Sequence, residues 1–145
     1  VYCQLCKQNP SFTRTMQLLI TIPGVGPDTA AKVIAEIVDI AYFPTPKQLV
    51  KWAGLAPRVH QSGETHDHGR ISKEGDKLLR WLLVEAAHVL LTRTKRSCTL
   101  KRWGLQLAKK RGQGKAAVAV ARKLAILLHR LWVTGADFTP TPATP

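Results

Sequence analysis

The sequence of 145 residues is 45% hydrophobic and carries 22 Lys or Arg against nine Asp or Glu, for a net charge of +13. This length suffices for one domain with a buried core, but no apolar run approaches the roughly 18 residues that a membrane span needs. The N-terminus also lacks the pattern of a secretory signal. The sequence therefore argues against a membrane protein and for a cytoplasmic setting.

The first two predicted helices flank a glycine-containing turn. Asn9 and Pro10 are typical of a helix start, so we predict a helix over about 10–20. The turn at 23–26 reads PGVG, and a second amphipathic helix follows, ending near Val38. This unit resembles a helix-hairpin-helix motif, in which turn N–H groups and the second helix's N-terminus bind a DNA phosphate. The groups assigned to phosphate are those of Gly24, Val25 and Gly26; the alternative is a turn that binds no ligand.

A third helix is predicted to begin after Thr45, because Thr45 and Gln48 have capping-box spacing, and to stop at Gly54. The helical period is then lost over residues 55–71, which read LAPRVHQSGETHDHGRI. A connector of this length in a small domain is usually functional or disordered. We predict a functional loop at 55–72, with a short β-hairpin pairing 58–61 with 69–72 as one form it could take.

The C-terminal half is predicted to be helical. Ser72 or Asp76 caps a long helix that ends near Thr92, a helix through Trp103 ends at Arg111, and 112–114 form a turn. The last helix spans about 115–133, and the Pro/Thr-rich residues 136–145 are expected to be unstructured.

These elements predict an all-α domain of about six helices with one long functional loop. Residues 1–8 are a linker or the end of a preceding helix, and residues 136–145 are a disordered tail. The domain at 9–135 contains the helix-hairpin-helix at 10–38, the active loop at 55–72 and a basic helical part at 76–134.

The charge is distributed unevenly along the chain. Between Glu85 and Asp137 there are twelve Lys or Arg and no acid, whereas a solvated helical face usually mixes both signs. An acid-free stretch of this length favours a polyanion, and nucleic acid over a membrane surface. The residues predicted to grip the DNA or RNA backbone here are Arg93, Lys95, Arg96, Lys101, Arg102, Lys109, Lys110, Arg111, Lys115, Arg122 and Lys123.

The loop contains the candidates for chemistry. A serine that attacks phosphate needs a group to accept its proton and cations to stabilise the developing charge. Ser62 has a histidine nearby, His60, and three cations close in sequence that we assign to phosphate, namely Arg58, Arg70 and Lys73. By spacing alone, a Ser-Gly pair in a loop is also ordinary turn chemistry.

Metal binding is a second interpretation of the loop residues, in one case together with the N-terminal cysteines. Cys3 and Cys6 form a CxxC and His66 and His68 an HxH, which together could make a Cys2His2 zinc site, although the spacing fits no short zinc module. Free thiols and exposed loop histidines are the ordinary alternative, and we assign no metal ligands. Glu64 and Asp67 make only a thin case for Mg²⁺.

Four segments occur in an order that is too particular to be generic. They read LLITIPGVGPDTAAKVIAEI, FPTPKQLVKWAGLAPRVHQSG, GRISKEGDKLLRWLLVEAAHV and AVAVARKLAILLHRLW. Together they resemble the C-terminal transposase domain of the insertion-sequence "one-ten" family, serine-using recombinases with a RuvC-like DEDD domain at their N-terminus. The resemblance covers about residues 9–138.

The resemblance implies DNA transposition through a covalent serine–DNA intermediate in a prokaryotic cell, at the nucleoid. The family's serine falls in the motif that reads QSG here, which assigns the nucleophile to Ser62, with His60 as a weaker candidate for proton transfer. It implies no cofactor in this chain, and Mg²⁺ for the full-length enzyme through the acids of the DEDD domain. The implied partners are DNA, that DEDD domain, further protomers of a homo-oligomer and, in some members, a structured guide RNA.

The sequence departs from the family pattern because the DEDD domain is not among these 145 residues. We therefore expect this chain by itself to bind nucleic acid without recombining it. One rival is a non-catalytic helix-hairpin-helix DNA-binding module, in which Ser62→Ala changes nothing. A second rival is a zinc-stabilised structural domain.

Overall fold

The structure, a computed structural model, describes residues 7–62 and 65–139, and for 59–62 and 65–69 it describes the backbone only. These ranges contain six α-helices and one two-stranded antiparallel sheet, which confirms the all-α prediction. The helices are α1 (Pro10–Ile20), α2 (Pro27–Ile37), α3 (Pro46–Trp52), α4 (Lys77–Thr92), α5 (Thr99–Arg111) and α6 (Gln113–Thr134). The strands are β1 (Pro57–Ser62) and β2 (Thr65–Ile71), and a short 3-10 helix spans Ile40–Tyr42.

The starts of three helices follow from their capping residues. The Asn9 side chain accepts a hydrogen bond from the Phe12 N–H, and Pro10 takes the first position of α1, as predicted. Asp76, rather than Ser72, caps α4 by accepting from the Leu79 N–H at 2.7 Å. Thr45 precedes α3, but its side chain makes no capping bond, so the predicted capping box is wrong.

Helix α6 runs through the core and contacts α1, α3, α4, α5 and the 3-10 helix. Its buried face is rich in alanine, which allows neighbouring helices to approach closely because little side-chain volume separates them. The fully buried alanines are Ala116, Ala117, Ala121 and Ala125. Gly104 serves the same purpose on α5, because a Cβ there would lie 2.7 Å from side-chain atoms of both Leu91 and Val120.

Helix α5 ends at Arg111 as predicted, whereas α6 begins two residues before its predicted start. Helix α5 begins at Thr99, because the Cys98 sulfur accepts a bond from the Lys101 N–H and caps it. Gly112 alone, at φ +90°, separates α5 from α6, so Gln113 and Gly114 belong to α6 and not to a turn.

The segment after α6 forms neither helix nor strand over 135–139, yet it is bound to α1. The Phe138 N–H donates to the Thr21 hydroxyl oxygen at 3.0 Å, and an Arg14 Nη2 donates to the Gly135 carbonyl at 3.1 Å. The predicted tail beyond residue 139 lies outside the described residues.

The end of α2 contains an unusual backbone conformation. Val38 has φ 65° and ψ −63°, and the Asp39 N–H donates to the Ile37 carbonyl across it at 2.8 Å. This is a γ-turn, and a β-branched residue at positive φ is strained there.

Glu36, near the end of α2, has a raised pKa. The main cause is a hydrogen bond to the Asp76 side chain, and partial burial and repulsion by that carboxyl are smaller causes.

Candidate nucleic-acid interface

The predicted loop at 55–72 is a β-ribbon. Its strands pair antiparallel, with Ser62 opposite Thr65 and His60 opposite Asp67, and an irregularity lies between Pro57 and Val59. The predicted hairpin is present, but its predicted register is wrong, because Gln61 pairs with His66 rather than with Gly69. Both strands also extend further towards the tip, and only residues 63–64 lie between them. Ser62 ends β1 beside the tip, and His60 precedes it by two residues on the same strand.

The base of the ribbon is held by backbone hydrogen bonds. The N–H groups of Ser72, Lys73 and Asp76 donate to the carbonyls of residues 56, 54 and 52, at 2.8, 3.1 and 2.7 Å. Gly75 permits this approach, because at φ +135° an added Cβ would lie 2.0 Å from the Trp52 carbonyl oxygen. An isolated two-stranded hairpin is only marginally stable in water. We therefore infer that the hydrogen bonds at its base stabilise the ribbon and fix its position on the helices.

Two arginines from distant helices hold the same base. Arg122 of α6 donates through Nε to the Leu55 carbonyl at 2.9 Å, and Arg80 of α4 donates through Nη1 to the Ala53 carbonyl at 3.3 Å. Arg122 was predicted to bind phosphate, whereas no role was predicted for Arg80. A single arginine in an apolar helix carries no sequence signal for a carbonyl that lies 27 or 67 residues away.

The three cations predicted to lie near Ser62 are at the opposite end of the ribbon. Arg58 is exposed, with one Nη2 donating to the Ser72 carbonyl at 3.1 Å, and Arg70 and Lys73 are also exposed. Because a strand rises about 3.3 Å per residue, the four residues from 58 to 62 separate Arg58 from Ser62 by roughly 13 Å. Neighbours in sequence are thus separated in space.

The glycine turn at 23–26 has one buried side and one open side. At Gly24, φ is +88° and an added Cβ would lie 2.6 Å from the Ala86 carbonyl oxygen of α4. The Val25 N–H donates to the Ile22 carbonyl at 3.1 Å, and the Val25 side chain is only 9% exposed. Gly26 is exposed and directly precedes α2, with no described atom within 4 Å of where a Cβ would lie.

An acid already occupies the first turn of α2. Asp28 forms an ion pair with Lys32 at 2.7 Å and lies where the helix dipole favours negative charge. A phosphate at Gly26 would therefore approach a helix end that is already partly neutralised. Phosphate binding by Gly24, Val25 and Gly26 stays a prediction, and the geometry makes Gly26 its most accessible member.

The basic stretch forms an exposed corner where α5 meets α6. Lys109, Lys110 and Arg111 end α5, where cations complement the helix dipole, and Lys115 follows on α6. Arg93, Lys95, Arg96, Arg102 and Lys123 are exposed as well. Lys101 differs because it is half-buried and donates to the Thr94 carbonyl.

The sequence between residues 16 and 103 matches the model of a family described as Transposase IS116/IS110/IS902 family. This range contains the glycine turn, the ribbon and its base. The chain belongs to the IS116/IS110/IS902 transposase family.

Named relatives agree with this membership. A transposase for insertion sequence element IS1111A of Coxiella burnetii is 40% identical over 116 residues, covering 79% of this chain and 32% of that protein. A probable family 20 transposase of Pseudomonas aeruginosa is 37% identical over 121 residues, covering 80% and 35%. A pilin gene-inverting protein of Moraxella bovis is 39% identical over 88 residues, covering 60% and 27%. The chain spans about a third of the length of the first two relatives.

Two further predictions concern metal and membrane. In the described part of this family member, no three His, Cys, Asp or Glu side chains lie close enough to bind a metal ion. The suggested zinc ligands are not tested by this, because Cys3 and Cys6 lie outside the described residues and His66 and His68 are described by backbone alone. No helix within the described ranges is long and apolar enough to cross a membrane.

Proposed function

We propose that this chain is the DNA-engaging and nucleophile-bearing domain of an insertion-sequence transposase, in which Ser62 forms a covalent bond with DNA. The observation that carries the proposal is the position of Ser62 at the end of β1, beside the tip of the ribbon. At the other end of the ribbon, backbone hydrogen bonds join the segments that precede β1 and follow β2. A nucleophile must be presented beyond the protein body to reach a phosphate within a duplex, and must be held in one position to attack it. The bonds at the base of the ribbon support its assignment to this role.

In the proposed step, the Ser62 oxygen attacks the phosphorus of a DNA phosphodiester. A phosphoserine ester forms as the bond to one deoxyribose oxygen breaks, and that oxygen leaves with a proton. The serine proton passes to a base, for which His60 is the candidate on the same strand. Attack by a DNA hydroxyl on the phosphoserine then reverses the chemistry and joins a new strand, so the reaction consumes no external energy source.

Cations elsewhere on the domain would position the DNA. Arg58, Arg70 and Lys73 lie at the ribbon's base, so we assign them to phosphates several nucleotides from the one attacked. The basic corner of α5 and α6 supplies a second contact area, and the open side of the turn at Gly26 a third. Such contacts give affinity and register rather than sequence preference.

The resemblance assigns the implied Mg²⁺ to the acids of a DEDD domain and not to this chain, so the ion enters none of these steps. In this proposal the ion stays with a DEDD domain, and this chain acts in a homo-oligomer at the nucleoid. A structured guide RNA is a further proposed partner for target choice.

The test uses a full-length transposase that contains this domain, incubated with element-junction DNA and analysed on denaturing gels. Ser62→Ala is compared with Ser72→Ala, a matched serine ten residues away whose hydroxyl caps the Glu74 N–H. We expect a covalent protein–DNA adduct from wild type and Ser72→Ala and none from Ser62→Ala, which should still bind DNA. An adduct that survives Ser62→Ala would refute the assignment, and one lost only with Ser72→Ala would move the nucleophile there.

The second candidate function, a non-catalytic DNA-binding module, is favoured by the open N-terminus of α2 at Gly26. It predicts binding without any adduct under conditions where a related transposase forms one. In both functions affinity should fall steeply with salt, because phosphate contacts release counterions. A flat salt response would contradict both.

A further inference from the structure

A groove of about 480 Å³ lies between α5 and α6, and its lining residues belong to α5, α6 and the segment after α6. Its volume falls within the range of roughly 300–1,000 Å³ that is usual for small-ligand sites. Trp103 of α5, Ile126 and Leu127 of α6, and Phe138 of the C-terminal segment provide an apolar lining. The bond from the Phe138 N–H to Thr21 holds that last wall in place.

Two cations lie on the α6 side of the groove. Lys123 and Arg130 are both exposed and are seven residues apart, which corresponds to two helical turns, or about 10.5 Å along the axis. No acid occurs between residues 85 and 137, so the charged side chains of α5 and α6 are all basic. The nearest acid in sequence is the exposed Asp137, next to Phe138.

An aromatic surface within an apolar groove, bordered by two spaced cations, matches the chemistry of a nucleotide in a single strand. A base has an apolar π-face that stacks on aromatic side chains, and a charged phosphate lies on each side of it. A duplex offers no free base, and an acidic peptide would need cations in the groove rather than along its border.

Lys123 contacts the aromatic lining of the groove. Its Nζ lies 3.9 Å from the centroid of the Trp103 ring, in a cation–π contact. The lysine is exposed, so its flexible side chain can leave the ring and follow a phosphate while a base takes its place over the indole. A base bound over the indole would therefore take the place of the Lys123 ammonium group.

We propose that this groove binds one unpaired nucleotide of a DNA strand, with the base against Trp103 and its flanking phosphates at Lys123 and Arg130. This inference rests on the proposed DNA-binding function and adds a site for unpaired DNA, as arises when strands are opened for exchange. It is independent of Ser62 and of covalent chemistry.

The first test changes the DNA rather than the protein. Fluorescence anisotropy would measure binding of the 145-residue chain to a short single strand, to a strand of the same length in which every nucleotide is abasic, and to a duplex. We expect the abasic strand to bind at least about fivefold more weakly than the normal strand, because stacking one base contributes that much. Equal affinity for the two single strands would overturn the proposal.

Protein variants locate the site. Trp103→Ala should weaken single-strand binding about fivefold or more and leave duplex binding within twofold, whereas Trp103→Phe should retain most of the affinity. Lys123→Gln, at an exposed position, tests the site without risk to folding and should lower the single-strand salt slope by about 0.7. Asp137→Asn should tighten binding by removing the neighbouring acid.

Equal losses for single strand and duplex in Trp103→Ala, with normal thermal unfolding, would overturn the assignment, as would an unchanged salt slope in Lys123→Gln. An RNA strand of the same sequence that binds more tightly than the DNA strand would overturn the choice of DNA. Failure of the proposed function would be seen separately. In that case the wild-type protein would not bind duplex DNA, or it would form no adduct that depends on Ser62.

Discussion

Substitution by alanine should lower stability at one glycine of the turn at 23–26 and leave stability unchanged at the other. Gly24→Ala places a methyl group 2.6 Å from the Ala86 carbonyl oxygen and 3.1 Å from the Leu90 Cβ, and both atoms belong to α4. At φ +88° a non-glycine residue also costs about 1–2 kcal/mol. Overpacking against atoms that cannot move aside adds about 1–3 kcal/mol. We expect Gly24→Ala to lower the free energy of unfolding by about 2–5 kcal/mol.

Gly26→Ala is the matched control. Gly26 is extended, with φ −89° and ψ 175°, and no described atom lies within 4 Å of the added methyl group. Its stability change should stay within about 0.5 kcal/mol, as is usual for open surface sites. If the turn holds a phosphate, this methyl group obstructs its approach, and we expect DNA binding several-fold weaker in a normally folded protein.

Urea unfolding followed by tryptophan fluorescence, with equal m-values, measures the stability difference. A Gly24→Ala protein within 0.5 kcal/mol of wild type would refute the packing argument. Gly26→Ala with wild-type stability and wild-type DNA affinity would instead show that the turn only braces α1 and α2 against α4.

Three further predictions concern other parts of the molecule. Val38→Gly should raise the free energy of unfolding by about 1 kcal/mol, because glycine relieves the positive φ of 65°; a lower thermal midpoint would contradict this. Arg122→Gln should leave the salt slope of duplex binding unchanged because its Nε holds the Leu55 carbonyl, whereas a slope smaller by about one would identify a phosphate contact. Because the pKa of Glu36 is raised in the folded protein, the contribution of this carboxyl to stability falls as pH rises above its ordinary value of about 4.5. Glu36→Gln should therefore be more stable than wild type at pH 7, and this difference should disappear in denaturation curves measured below about pH 4.5.

The helical framework was predictable because its signals are local. Asn9-Pro10 and Asp76 act within one turn of the residues that they cap, and the apolar period of α2 and α4 already defines their buried faces. The limits of α1 match the prediction and those of α4 differ by one residue. Cys98 was missed as a cap because a thiol is a weak acceptor that rarely serves in this role.

The ribbon was predictable as an interruption but not in its register. Its sequence is polar on nearly every residue, so no alternation of apolar and polar side chains marks which residues face each other. The roles of Arg80 and Arg122 depend on contacts between distant segments. The role of Gly24 could not be predicted from the sequence either, because close approach by a phosphate and close approach by a helix both require a glycine.

The hydrogen bonds between residues 52–56 and 72–76 join the two ends of the ribbon at its base. Inserting or deleting one residue in each strand beyond these bonds would lengthen or shorten the ribbon and leave the helices unchanged. Tip sequences could thus be exchanged between relatives while the helical body is conserved. The reach of the ribbon is therefore a property that mutation can tune independently of the stability of the fold.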